Sequence, residues 1–237
     1  MAAPTVSLDT DIPANAILRR YMDVPKLLDL LNHKALYVRR ADGFSDRLEG
    51  ALFPSLRAAL DDAHATGQAP HDANYFYRRA RTGTYVSCWT RGAKDSMAHW
   101  QLYGGVKTGV ALTTTVDRLV RTALRWKRDA LVHRVNYVDH PKMKTYVIGR
   151  YTDVLRFKHE AYKHEHEIRL LVPQQDADWP SNPVGLRLPV LDLDLLIRSV
   201  VVAPEADSEF YESIKQLCAR YGLKAPVRRS KLAFVPV

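Results

Sequence analysis

Residues 16–40, AILRRYMDVPKLLDLLNHKALYVRR, constrain the fold most strongly. AILRRY (16–21) reads as a short strand. DVPKLLDLLNHK (23–34) reads as a helix. Asp23 offers an N-cap oxygen, Pro25 suits the first turn, and Leu27, Leu28 and Leu31 form an apolar stripe. ALYVRR (35–40) alternates as a second strand. Strand, helix and strand within so short a stretch require a mixed architecture.

The mixture continues along the chain. TYVSCW (84–89), TGVALTTT (108–115), ALVHRVNYV (130–138), EIRLLVP (167–173), LRLPV (186–190) and SVVVAP (199–204) read as strands. DRLEGALFPSLRAALDDAHA (46–65) reads as helix interrupted at Pro54, and TGQAPHDAN (66–74) as a loop. DSMAHWQLYGG (95–105) reads as a helix capped by Asp95, VDRLVRTALRWKRD (116–129) as a basic amphipathic helix, and a further helix is expected near 146–162. DSEFYESIKQLCARYG (207–222) is the best-defined helix. Asp207 caps it, Phe210, Ile214, Leu217 and Tyr221 share a face, and Gly222 closes it. These elements follow no regular βαβ rhythm, so the expected class is α+β. We expect one domain over 16–237, with mixed or antiparallel sheets and packed helices, preceded by a loose tail over 1–15.

Composition narrows the setting. Hydrophobic residues at 46% and charged residues at 26% are ordinary for a folded domain. No run of about 18 apolar residues occurs, so no membrane span is expected. The first residues lack the basic start and apolar stretch of a secretory signal. Cys88 and Cys218 form no disulfide or zinc framework, and a reducing cytoplasm is the expected compartment. Thirty-five Lys and Arg against 26 Asp and Glu give a net charge of +9, which favours anionic partners such as nucleotides or nucleic acid.

GGVKTG (104–109) lacks the Walker A spacing, because Val106 stands before Lys107. HEAYKH (159–164) separates its histidines by five residues, whereas a zincin helix needs four to turn both toward one zinc. No metal site is expected there. In EHEIRLLV (165–172), strand alternation places Glu165, Glu167, Arg169 and Leu171 on one face. His166, Ile168, Leu170 and Val172 fall on the other. Such a carboxylate pair can divide catalytic labour, or it can be the charged side of an exposed edge strand.

Four segments, 19–50, 86–104, 157–171 and 200–232, together resemble a bacterial family known as domain of unknown function 2971. The resemblance rests on Arg20-Tyr21, on Asp46, Glu49 and Gly50, on Cys88-Trp89, on Met97, Trp100 and Tyr103, and on Glu165, Glu167 and Arg169. Arg47 stands where that family commonly has Pro. A weaker resemblance is to the ADP-ribosyltransferase fold, carried by Arg20 on an early strand, Ser87 on a middle strand and the late Glu165-x-Glu167. It implies a split β-sandwich and an enzyme that consumes NAD as a substrate to modify a nucleic acid or protein acceptor. A role in bacterial defence or toxicity, for instance against phage, falls within its scope.

The resemblance implies catalytic roles for Glu167, Glu165 and Arg20. Glu167 would stabilise the cationic transition state, Glu165 orient the acceptor, and Arg20 clamp the pyrophosphate. Tyr21, Ser87, Trp89, Trp100, Tyr103 and Arg169 would complete the cofactor site, the aromatics alternatively being core residues. Two other readings stand beside it. One is a non-catalytic protein that binds nucleotide or nucleic acid through arginines. The other is a nuclease in which Asp46, Glu49, Glu165 and Glu167 surround Mg²⁺, with Lys158 or Lys163 assisting.

Overall fold

The structure is a computed structural model describing residues 4–46, 48–144, 148–174 and 179–233. In chain order its strands are β1 Val6–Leu8, β2 Ile17–Asp23, β3 Ala35–Arg40, β4 Thr84–Arg91, β5 Gly109–Thr115 and β6 Ala130–Arg134. They continue as β7 Asn136–Val138, β8 Phe157–His159, β9 Glu167–Pro173, β10 Gly185–Pro189, β11 Ser199–Val202 and β12 Val227–Arg229. The helices are α1 Val24–His33, α2 Pro54–Ala65, α3 Ala73–Thr82, α4 Met97–His99, α5 Val116–Ala123, α6 Leu193–Leu196 and α7 Ser208–Arg220. The expected α+β class is what the chain adopts.

One large mixed sheet runs β1-β6-β9-β4-β2-β5-β11-β12, with β3 and β10 branching from β4. Most of its pairs are antiparallel, while β1–β6 and β11–β12 are parallel. The branch matters for function. Tyr85 and Val86 of β4 pair with β3, whereas Thr90 and Arg91 pair with β2. Ser87, Cys88 and Trp89 therefore have β9 on one side and no ladder partner on the other. The sheet forks there.

Strand alternation divides β9 between two cores. Ile168, Leu170 and Val172 enter the larger core with Trp89 and Trp100. Leu171 enters a smaller one with Phe53, Val86, Leu131 and Leu155. Glu167 and Arg169 share the Leu171 face, as the alternation predicts.

Local signals are reliable where they are strongest. The Asp23 carboxylate accepts from the Lys26 N–H at 2.9 Å and starts α1, and Asp207 accepts from Phe210 N–H at 2.7 Å to start α7. Replacing Asp23 by Ala removes this cap without touching either core, and chemical unfolding is expected to show a loss of about 1 kcal/mol.

Four expectations need correction. The expected helix near 146–162 is instead a 3₁₀ turn (Tyr151–Arg156), β8 and a second 3₁₀ turn (Glu160–Glu165); residues 145–147 lie outside the described residues. The tail expected over 1–15 contributes β1, which pairs with β6, and Asp9, which bonds His133. Asp95 does not cap the following helix; its carboxylate accepts from the Ser230 hydroxyl. The loop expected over 66–74 ends two residues early, because Asp72 caps α3 through Tyr75 N–H and the helix begins at Ala73. Among the described residues, no helix is long and apolar enough to cross a membrane.

Candidate active site

The fork opens into a cleft of about 1040 Å³, at the upper end of the roughly 300–1,000 Å³ common for small-molecule sites. Its walls include Arg20 from β2, Cys88 and Trp89 from β4, Lys158 from β8, and Glu167 and Arg169 from β9. His99, Tyr103, Glu165 and Glu49 complete the polar part.

These side chains form a continuous charged network. Arg169 is only 1% exposed, and all five of its N–H groups are engaged. Nη1 and Nη2 grip Glu49 at 2.5 and 2.9 Å, Nε and Nη2 reach Glu167 at 3.0 and 3.2 Å, and Nη1 also meets the Leu155 carbonyl at 2.7 Å. The Lys158 ammonium then bridges Glu165 at 2.5 Å and Glu167 at 3.5 Å, with the Tyr162 ring 4.5 Å away. The Tyr103 hydroxyl donates to the other Glu165 oxygen at 2.5 Å, and the Glu167 backbone N–H donates to the Tyr137 hydroxyl at 2.8 Å.

Glu165 reaches this network by an unforeseen route. It closes the second 3₁₀ turn, and His166 adopts the left-handed conformation (φ 45°) before β9 begins. The alternation that groups Glu165 with Glu167 thus starts only at Glu167. The turn and the shared Lys158 bring the two carboxylates together instead.

Charge placement sets protonation. Burial pushes the Glu167 carboxyl up, but Arg169 and Lys158 outweigh it and hold Glu167 below the usual carboxylate range. Burial also pulls the Lys158 ammonium down, yet Glu167 and Glu165 raise it overall, so it stays charged. Burial and the neighbouring Glu167 charge push the Cys88 thiol well up; it donates to Glu167 and is no thiolate nucleophile. Burial raises Tyr137 to about 12 and lowers His99, which is therefore a neutral imidazole at pH 7. Burial lowers Arg20, the opposing effect coming from Cys88.

The expected site residues divide. Arg20, Tyr21, Trp89, Tyr103, Glu165 and Glu167 all border the cleft. The Arg20 side chain leaves β2 across the fork, donates to the Tyr37 carbonyl of β3 at 3.2 Å and lies 6.0 Å from the Trp89 ring centre. Its remaining donors meet no carboxylate among the described residues. Tyr103 is half exposed, whereas Tyr21 is buried, stacked on His99 at 5.2 Å, and accepts from Ser96 N–H.

Ser87 and Trp100 do not border the cleft, and Arg169 borders it with every donor engaged. Ser87 pairs with Leu170 and so points into the larger core, away from Glu167. Trp100 is fully buried in that core and does not border the cleft. Arg169 has no donor left for a ligand and acts as the strut beneath Glu167.

Register shows a residue that sequence reasoning missed. Arg19 pairs with Thr90, and Thr90 pairs with Glu167, so these three stand side by side on one face across β2, β4 and β9. Arg20 begins on the opposite face. Arg19 donates to the Ala93 carbonyl at 2.5 Å, while its Nε and Nη1 are buried without a hydrogen bond among the described residues. His99, and the hydrogen bond from Cys88 to Glu167, were missed for the same reason: neither shows without knowledge of its neighbours. The nuclease alternative gains no support from this arrangement. Between Glu49, Glu165 and Glu167 stand the Arg169 guanidinium and the Lys158 ammonium, and no group of three or more His, Cys, Asp or Glu among the described residues could hold a metal ion.

No protein-family model matches this chain, so the likeness to domain of unknown function 2971 stays a resemblance. No curated protein matches it in sequence either. Among solved structures, Thermus sp. 2.9 DarT in complex with carba-NAD⁺ is 10% identical, with a TM-score of 0.43 over 93% of this chain and 98% of that one. Its complex with NAD⁺ gives 10%, 0.44, 94% and 98%. Its complex with ADP-ribosylated ssDNA gives 8%, 0.44, 94% and 97%. Similarity this distant assigns no ligand and no residue role here.

Proposed function

We propose that this chain is an NAD-consuming ADP-ribosyltransferase. The observation that carries the reading is the cleft at the sheet fork, where an ionised Glu167 braced by Arg169 borders the same space as the Arg20 guanidinium. In this reaction the bond between nicotinamide and ribose C1′ breaks, and nicotinamide leaves with the electron pair. The acceptor nucleophile bonds to C1′ and gives up its proton. Positive charge grows on the ribose as the bond breaks, and a preformed carboxylate in a partly water-excluded cleft stabilises it.

In this reading Glu167 faces the ribosyl cation, and Glu165 orients the acceptor and receives its proton. Arg20 holds the pyrophosphate with its free donors, and Tyr103, Tyr21 or Trp89 offers a face to the nicotinamide. Arg169 keeps Glu167 in place. Lys158 bridges the two carboxylates and helps keep Glu167 charged.

The test is to incubate the protein with NAD⁺ and cell lysate, following free nicotinamide and the mass gain of one ADP-ribose unit on an acceptor. Nicotinamide release above the protein-free control is expected, and Glu165→Gln should lower acceptor modification by about 10²-fold or more. No release with lysate, or Mg²⁺-dependent cutting of DNA or RNA in its place, overturns the reading. A second reading, a non-catalytic nucleotide-binding protein, draws support from the engagement of both carboxylates by Lys158 and Arg169. It predicts NAD⁺ binding with no nicotinamide release.

A further inference from the structure

Away from the cleft, α3 presents an arginine–aromatic ladder that the proposed reaction does not use. His71 stacks on Tyr75 with ring centres 3.6 Å apart, and Tyr75 meets Trp179 edge-on at 5.5 Å. The exposed Arg78 guanidinium lies 5.9 Å from Tyr75 and 5.8 Å from Trp179. Beside it opens a shallow hollow of about 450 Å³, bordered by His64, Pro70, His71, Asp72, Asn74, Tyr75 and Arg78, with no wall in common with the cleft at the sheet fork.

Among the described residues, Arg78 has no direct carboxylate partner, for a local reason. Asp61 accepts from Ala73 N–H, Asp72 caps α3 through Tyr75 N–H, and Asp153 accepts from the Gly149 and Arg150 N–H groups. These carboxylates serve the backbone, and among the described residues Arg78 pairs with none. Arg57 bonds the neutral Asn74 amide and Arg81 the neutral Tyr77 hydroxyl.

We propose that this face binds single-stranded nucleic acid. Rings at the surface offer stacking platforms for bases, and guanidinium groups between them meet the phosphates. That pairing suits single strands, whose bases are free to stack. A duplex hides its base faces, and an acidic peptide has no use for the rings. The net charge of +9 supplies the long-range attraction. The inference does not depend on NAD chemistry, because the face lies apart from the cleft.

The experiment measures anisotropy of a labelled oligothymidylate on the full chain, without NAD⁺, over a salt series. Arg78→Glu is expected to weaken binding about tenfold or more and to flatten the dependence of log Kd on log salt by about 0.7 for each phosphate it no longer neutralises. Tyr75→Leu should weaken binding about fivefold or more and leave that slope unchanged, because stacking releases no counterions. Both variants are checked by thermal melting, and Arg78→Glu, altering an exposed side chain, guards against misfolding of the other. Three results would overturn the inference: wild-type affinity in both variants, equal binding of an abasic strand or polyglutamate, or loss in Arg20→Gln with retention in Arg78→Glu.

Discussion

Replacing Arg169 by Met is expected to lower the melting temperature by about 6–20 °C, the largest stability effect of any single substitution near the cleft. Met fits the volume but supplies no donors, so Glu49 and Glu167, 3% and 4% exposed, are left facing each other. Removing one partner of a buried ionic group typically costs about 3–5 kcal/mol, because the other charges stay buried without compensation. A chain of this length loses roughly 2–4 °C per kcal/mol. The double variant Arg169→Met, Glu49→Met removes a charge of each sign and should melt above the single variant, a non-additivity that reports direct contact. A single variant melting within about 2 °C of wild type would mean that Arg169 does not brace the site.

The second large effect is on chemistry. Glu167→Gln keeps the shape and one acceptor for Arg169 but removes the charge, and nicotinamide release should fall by about 10²–10³-fold. Unchanged release in a folded Glu167→Gln protein would remove Glu167 from the mechanism.

Its pH dependence has a definite sign. The folded carboxyl titrates below its ordinary value of about 4.3, so the stability it contributes is full above that value and is lost as pH falls through the lower, folded one. Urea midpoints of wild type and Glu167→Gln should therefore keep a constant gap from pH 7 to 5 and draw together below about pH 4. Wild-type activity should likewise show no acid limb from Glu167 between pH 7 and 5. A gap that already closes near pH 6 would mean that Arg169 and Lys158 do not hold the carboxyl down.

Much of the architecture was legible in the residues because it is written locally. Asp23 before Pro25 and Asp207 before Phe210 name their own helices, since a cap acts on an N–H group three residues away. The alternation in EIRLLVP correctly put Glu167 and Arg169 on one face and Ile168, Leu170 and Val172 in the core. The 3₁₀ turns over 151–165 were not legible, because charged and aromatic residues there follow no period and the segment is shaped by what it packs against.

The sequence by itself determined the α+β class, the caps of α1 and α7, the basic charge and the shared face of Glu167 and Arg169. Only the tertiary structure decided what those residues meet. Arg169 finds Glu49 across 120 residues, and Arg19 comes into line with Thr90 and Glu167 through the registers of three strands. Ser87 and Cys88, adjacent in the chain, are sent to opposite faces, one toward the larger core and one to the cleft. The physical reason is that periodicity sets which residues share a face, whereas strand register and the fork in the sheet set which faces enclose a site.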